Sequence, residues 1–153
     1  MSLSMLEARS EMLQLFWDTW EPGIMAEFPT DFQAVLDHTA WPDVPPQAPI
    51  PPQTATPWAR VSIAHASGGQ DSLRGAAGRS RFERQGVLTV QCFAPVGESA
   101  TRVYNMAQIA MNAFDGKATP GGVWFRNARP NEAINDGWKQ VNVLAEFLYD
   151  EIK

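Results

Sequence analysis

Apolar residues recur at helical spacing near the start of the chain. Leu6, Leu13, Phe16, Trp17 and Trp20 fall along one stripe, and Glu7, Arg9, Glu11 and Asp18 occupy the opposite side. Ser4 with Glu7 three residues on has the form of a capping box, and Glu21-Pro22-Gly23 reads as a stop. The pattern predicts a first helix over 4–20. Residues 27–32 read as a short extended piece. Residues 41–57 then hold seven prolines, a density that removes backbone donors and favours polyproline II over helix or central strand. That stretch is expected to be a stiff surface excursion, wrapped over the domain or a neighbouring subunit.

Two segments then alternate with period two, residues 58–65 (WARVSIAH) and 86–93 (GVLTVQCF), and both read as strands. Pro95-Val96-Gly97 ends the second. Ser99 is placed to cap a helix whose stripe is Val103, Met106, Ala107, Ala110, Ala113 and Phe114, closed by Gly116. The last third reads as a hairpin: 123–127 is one arm, 138–149 the other, and Asn135-Asp136-Gly137 supplies the tight turn. Val141, Val143, Ala145, Phe147 and Tyr149 alternate with polar residues, so one face of the far arm is expected on a core. The sum is a single α+β domain over 1–153, an antiparallel or mixed sheet of about four to five strands with helices packed on one face.

Size and composition agree with one soluble globular domain: 153 residues, 16.9 kDa, 44% apolar and 19% charged. The net charge of −5 disfavours broad electrostatic binding to DNA or to an acidic membrane. No apolar run reaches bilayer-spanning length and no secretion signal opens the chain, so an intracellular site of synthesis is expected. The single cysteine, Cys92, lies in an apolar strand pattern and reads as a structural core residue.

The search for catalytic chemistry yields no case for an enzyme. His38 and His65 have no partner at metal-ligand spacing, no nucleophile elbow is present, and Asp150-Glu151 reads as solvated charge. No cofactor is implied. The remaining unusual segment is 71–86 (DSLRGAAGRSRFERQG). Its glycine spacing matches neither nucleotide-loop pattern, and a strand follows it where a phosphate site needs a helix. Two readings stay open. Arg74, Arg79, Arg81 and Arg84 with Phe82 resemble a nucleic-acid arm, or 67–84 is a mobile hairpin loop whose arginines find carboxylates on an adjacent subunit. Six tryptophans are many for one small core, which favours a chain that meets partners.

Residues 79–100 (RSRFERQGVLTVQCFAPVGESA), the helix ending in Phe114-Asp115-Gly116, then 137–143 (GWKQVNV) and 147–151 (FLYDE) together resemble the phage tail-terminator-like proteins, including those of lambda-type siphophages. The similarity covers roughly 28–151 and rests on the order of elements and on short patterns.

The resemblance implies a ring-forming α+β subunit, usually a hexamer, in the virion tail and assembled in the bacterial host cytoplasm. The ring stops tail-tube polymerisation and docks the head connector protein. Its partners would be other copies of itself, the tail tube protein and the connector, with DNA passing the lumen without specific binding. Arg74, Arg79, Arg81 and Arg84 would make the inter-subunit or inter-ring contacts. The alternatives are another head-tail connector or tail-completion protein, and a binding module with a basic arm on nucleic acid.

Overall fold

The computed structural model describes residues 3–42, 50–52, 55–70, 81–97, 100–135 and 137–152, with 67–70, 81, 134, 135 and 152 described by backbone alone. The elements run α1 (Met5–Glu27), α2 (Phe32–Asp37), β1 (Thr39–Ala40), β2 (Trp58–Gln70), β3 (Arg81–Pro95), α3 (Thr101–Phe114), β4 (Trp124–Asn135) and β5 (Trp138–Ile152). The five strands form one mixed sheet in the order β1-β2-β3-β5-β4. Only the short β1–β2 pair is parallel; the other three pairings are antiparallel. The expected α+β architecture, with helices against the sheet, is therefore what the chain adopts.

Alternation decides the faces. Ala59 and Val61 of β2, Leu88, Val90 and Cys92 of β3, and Val141, Val143 and Ala145 of β5 are buried against the helices. Their neighbours Arg60, Ser62, Thr89, Gln91, Asn142 and Leu144 point to the other face and stay exposed or half-buried. The α3 stripe is buried throughout as its spacing predicts. Ser99, the expected cap, lies outside the described residues; Ala100 holds the N-cap position and makes no side-chain cap bond. An aromatic row joins the layers: Trp20 stacks on Phe16 at 5.0 Å, Phe16 on Phe114 at 5.9 Å, and Phe114 on Phe125 at 4.8 Å.

Three local expectations differ from the structure. First, α1 does not stop at residue 20 but continues to Glu27 with Pro22 inside it. The buried stripe is Ala8, Met12, Phe16, Trp20 and Ile24, whereas Leu6 is exposed and Leu13 and Trp17 are half-buried. Burial of Trp20 and Ile24 outweighs the lost proline donor, and at Gly23 an added Cβ would stand 2.6 Å from the Ile109 side chain, so the glycine marks a close approach to α3. The capping box is present: Ser4 Oγ accepts from the Glu7 amide, and Glu7 accepts from the Ser4 amide, both at 3.1 Å.

Second, the extended piece expected at 27–32 is a turn leading into α2. Phe28 is buried under the Arg102 guanidinium, 4.6 Å from its ring, and Arg102 also pairs with Asp31 at 2.7 Å. That pair uses the carboxylate that would otherwise cap α2.

Third, the strands outrun their patterns. β4 continues to Asn135 through a bulge between Arg126 and Arg129, and Pro130 is tolerated because β4 is an edge. Asn135 pairs with Trp138 and Gly137 has φ +84, so the tight turn sits where the sequence places it. Of the proline-rich stretch, Pro52 and Pro57 are buried; 43–49 and 53–54 lie outside the described residues.

Candidate assembly surface

β2 and β3 remain paired beyond the span their alternation predicts. Gly68 faces Arg84, Gly69 faces Glu83 and Gln70 faces Phe82, after a register shift between His65 and Ser67. The segment expected as a loop over 67–84 is thus strand at both ends. β3 also pairs with β5 along fifteen residues, from Arg81↔Ile152 to Pro95↔Trp138. The result is a three-stranded arm at one end of the sheet, leading to residues 71–80.

The four arginines singled out from sequence fare differently. Arg74 and Arg79 lie outside the described residues. Arg81 opens β3 opposite Ile152, its backbone alone described. Arg84 is engaged within its own chain: Nε and Nη2 donate to Glu151 Oε1 at 3.2 and 3.1 Å, and its guanidinium lies 5.4 Å from the Phe82 ring centre. The structure therefore places Arg84 at the base of the arm.

A polar group that sequence reading did not assemble surrounds it. His65 Nε2 and the Tyr149 hydroxyl are 2.8 Å apart, and the His65 ring stands edge-on to Phe147 and Tyr149. Burial, followed by the charge of Arg84, holds the His65 pKa below its ordinary value, so the imidazole is neutral at pH 7. Burial and then the Glu151 carboxylate push the Tyr149 hydroxyl up, with Arg84 opposing. The only advance signal was alternation, which puts positions 65 and 149 on the core side; their meeting needs the β2–β3–β5 register.

Across the open face, Trp58 stacks on Phe93 with ring centres 3.9 Å apart, Trp138 stands edge-on at 6.0 Å, and the Arg60 guanidinium lies 5.5 Å from the Trp58 ring centre. Trp58 Nε1 is the buried side-chain polar atom without a hydrogen-bond partner among the described residues. Further along, Glu146 gathers Arg126 at 3.3 Å, Arg129 at 3.1 Å and Asn127 at 3.1 Å. The Glu146 pKa is lowered, by the Asn127 amide most of all and then by the charges of Arg126 and Arg129, with partial burial opposing them.

The tryptophan argument changes with burial. Trp20 and Trp58 are buried, Trp17, Trp41 and Trp138 are half-buried, and Trp124 is 45% exposed. Most of the indole surface is therefore spent inside the chain itself. His38 bonds the Ala34 carbonyl through Nδ1 at 2.7 Å, closing α2. Cys92 is buried and its thiol pKa is pushed far up by that burial, as a structural cysteine requires.

No family model and no curated protein matches the chain. One solved structure without a descriptive name aligns with it at TM-score 0.51 and 18% identity, over 94% of this chain and 95% of its own. At that identity the likeness concerns the fold alone, and it extends over nearly the whole of both chains.

Proposed function

We propose that this chain is a non-catalytic structural subunit of a phage or prophage tail, which closes into a ring, ends tail-tube polymerisation and joins the tail to the head. The observation that carries the reading is the β2–β3–β5 arm. It leads to residues 71–80, which carry Arg74 and Arg79, on a chain whose helix α1 is acidic. Helix α1 alone bears Glu7, Glu11, Asp18, Glu21 and Glu27 against Arg9. Arg74, Arg79 and Arg81 on one copy and the acidic helix α1 on the next are complementary, and a heterologous contact of that kind closes a ring when its rotation divides a full turn.

The segments on which the resemblance to tail-terminator-like proteins rests are β3, the α3 region, β5 and the turn before it. They carry the arm and the core that supports it. A net charge of −5 suits a lumen that must let DNA pass without retaining it.

The test is solution mass by light scattering over a concentration series, for the parent and an Arg79→Glu/Arg81→Glu variant, followed by electron microscopy with purified tail tubes. The expected outcome is a ring-sized species, or ring recruitment to tube ends, that the variant loses. Binding to the portal side instead of the tube would make the protein another connector. A monomer that tubes do not recruit would sink the proposal.

A further inference from the structure

The sheet narrows where the arm begins. β4 pairs with β5 only as far as Trp124↔Leu148, so residues 149–152 continue with β3 and β2 as their ladder among the described strands. Little on β2 sets the direction of this three-stranded ribbon. Its register shifts between His65 and Ser67, and Gly68 and Gly69 offer β3 no side chains to pack against.

Side chains of β3 and β5 supply what β2 lacks. Phe82, Arg84 and Gly86 alternate onto one face, opposite Glu151, Tyr149 and Phe147, and His65 of β2 stands opposite Gly86. β2 and β5 are not neighbours, yet His65 reaches the Tyr149 hydroxyl and the Phe147 ring across β3. It does so where β3 has a glycine, at which a Cβ would collide with Phe147 and the β2 backbone. One step farther out, Arg84 donates twice to Glu151, diagonally across the β3–β5 ladder, and lies beside the Phe82 ring. The Arg84 and Glu151 side chains are 26% and 18% exposed, against 51% and 28% for Arg126 and Glu146, so solvent screens this pair less.

We infer that Arg84, Glu151, His65 and Tyr149 are positioning residues, which lock the root of the arm and thereby fix where it presents residues 71–80 to a partner. The inference rests on the ring reading for the identity of that partner, a second copy of this chain, but not for the lock. It separates Arg84 from Arg74, Arg79 and Arg81. Arg84 spends its donors inside the chain, so its effect on assembly passes through the geometry of the arm. Replacing a contact arginine weakens association alone, whereas replacing a positioning arginine also loosens the ladder beneath the arm. Exchanging the charges of Arg84 and Glu151 restores an internal pair but not a contact with a partner.

The experiment combines amide hydrogen exchange, light scattering over a concentration series and recruitment to purified tail tubes, all on the whole chain. Arg84→Gln, Tyr149→Phe and the swap Arg84→Glu/Glu151→Arg accompany the parent. Ala110→Gly, in the buried stripe of α3, serves as a control that lowers stability away from the arm. Arg84→Gln and Tyr149→Phe are each expected to speed exchange at 82–85 and 149–151 about tenfold through local opening, and Ala110→Gly to leave those amides unchanged. Arg84→Gln weakens association, or recruitment to tubes, by roughly tenfold; the swap recovers most of both losses, and Ala110→Gly causes neither.

Unchanged exchange at the root in Arg84→Gln overturns the inference. So does association as strong in Arg84→Gln as in the parent, or a loss of association that the swap does not recover, which would make Arg84 a contact residue. If Arg84→Gln fails to fold by circular dichroism, Tyr149→Phe and the swap carry the decision. A parent that neither associates nor joins tubes sinks the ring reading by itself, and exchange at the root then decides the lock alone.

Discussion

Gly86 stands where no side chain fits. A Cβ there would meet the Ala64 carbonyl oxygen at 2.2 Å, Phe147 Cζ at 2.6 Å and His65 Cα at 2.8 Å, and two of the three are backbone atoms that cannot swing away. Gly86→Ala is expected to lower stability by about 1–3 kcal/mol, read as a lower urea midpoint at unchanged slope. Gly86 was visible in the sequence only as the start of a strand, because the ring packed over it comes from 61 residues downstream on β5. His65 makes a second test at this scale. Its folded pKa is lowered, so the unfolded chain takes up the proton first as pH falls. Stability from this residue is full above the ordinary histidine pKa of about 6.5 and declines as pH drops below it, until the folded imidazole also protonates. The urea midpoint should therefore fall between pH 7.5 and pH 5.5 by more in the parent than in His65→Gln; an equal fall in both would remove His65 as the cause.

Element boundaries show where local signals lose to packing. The α3 stripe was fully legible, since every one of its six predicted positions is buried. In α1 the capping box at Ser4 and Glu7 was legible too, yet the end was not: Pro22 and Gly23 look like a stop from sequence, and only the α1–α3 contact at Ile109 explains why the helix continues. This predicts that Pro22→Ala, at an exposed position, stabilises the protein by about 1–3 kcal/mol by restoring a helical donor and removing the ring clash. An unchanged or lower melting temperature would mean that a bend at Pro22 is needed for the Trp20 and Ile24 packing. The extension of β2 through Gly68 and Gly69 was equally hidden, because glycine weakens a strand pattern and pairing with β3 overrides it.

At the scale of the whole molecule the charge distribution matters more than any one contact. Helix α1 is acidic, the segment 71–86 carries four arginines against Asp71 and Glu83, and the whole chain sums to −5. The ring reading then predicts no measurable retention of duplex DNA at physiological salt in an electrophoretic shift, with any low-salt binding collapsing steeply as salt rises. Tight salt-resistant binding would favour a nucleic-acid arm instead. By itself the sequence determined the α+β class, the faces of β2, β3 and β5, the α3 core stripe, the turn at Gly137 and the burial of Cys92. Each of these follows from periodicity or from backbone preference within one element. Only the tertiary structure decided that α1 runs through Pro22, that Arg84 is held by Glu151, that His65 meets Tyr149, and that β4 is an edge strand blunted by a bulge and Pro130. Those facts depend on which strands are neighbours and in what register, and such contacts join residues far apart in the chain, whose energies no local pattern contains.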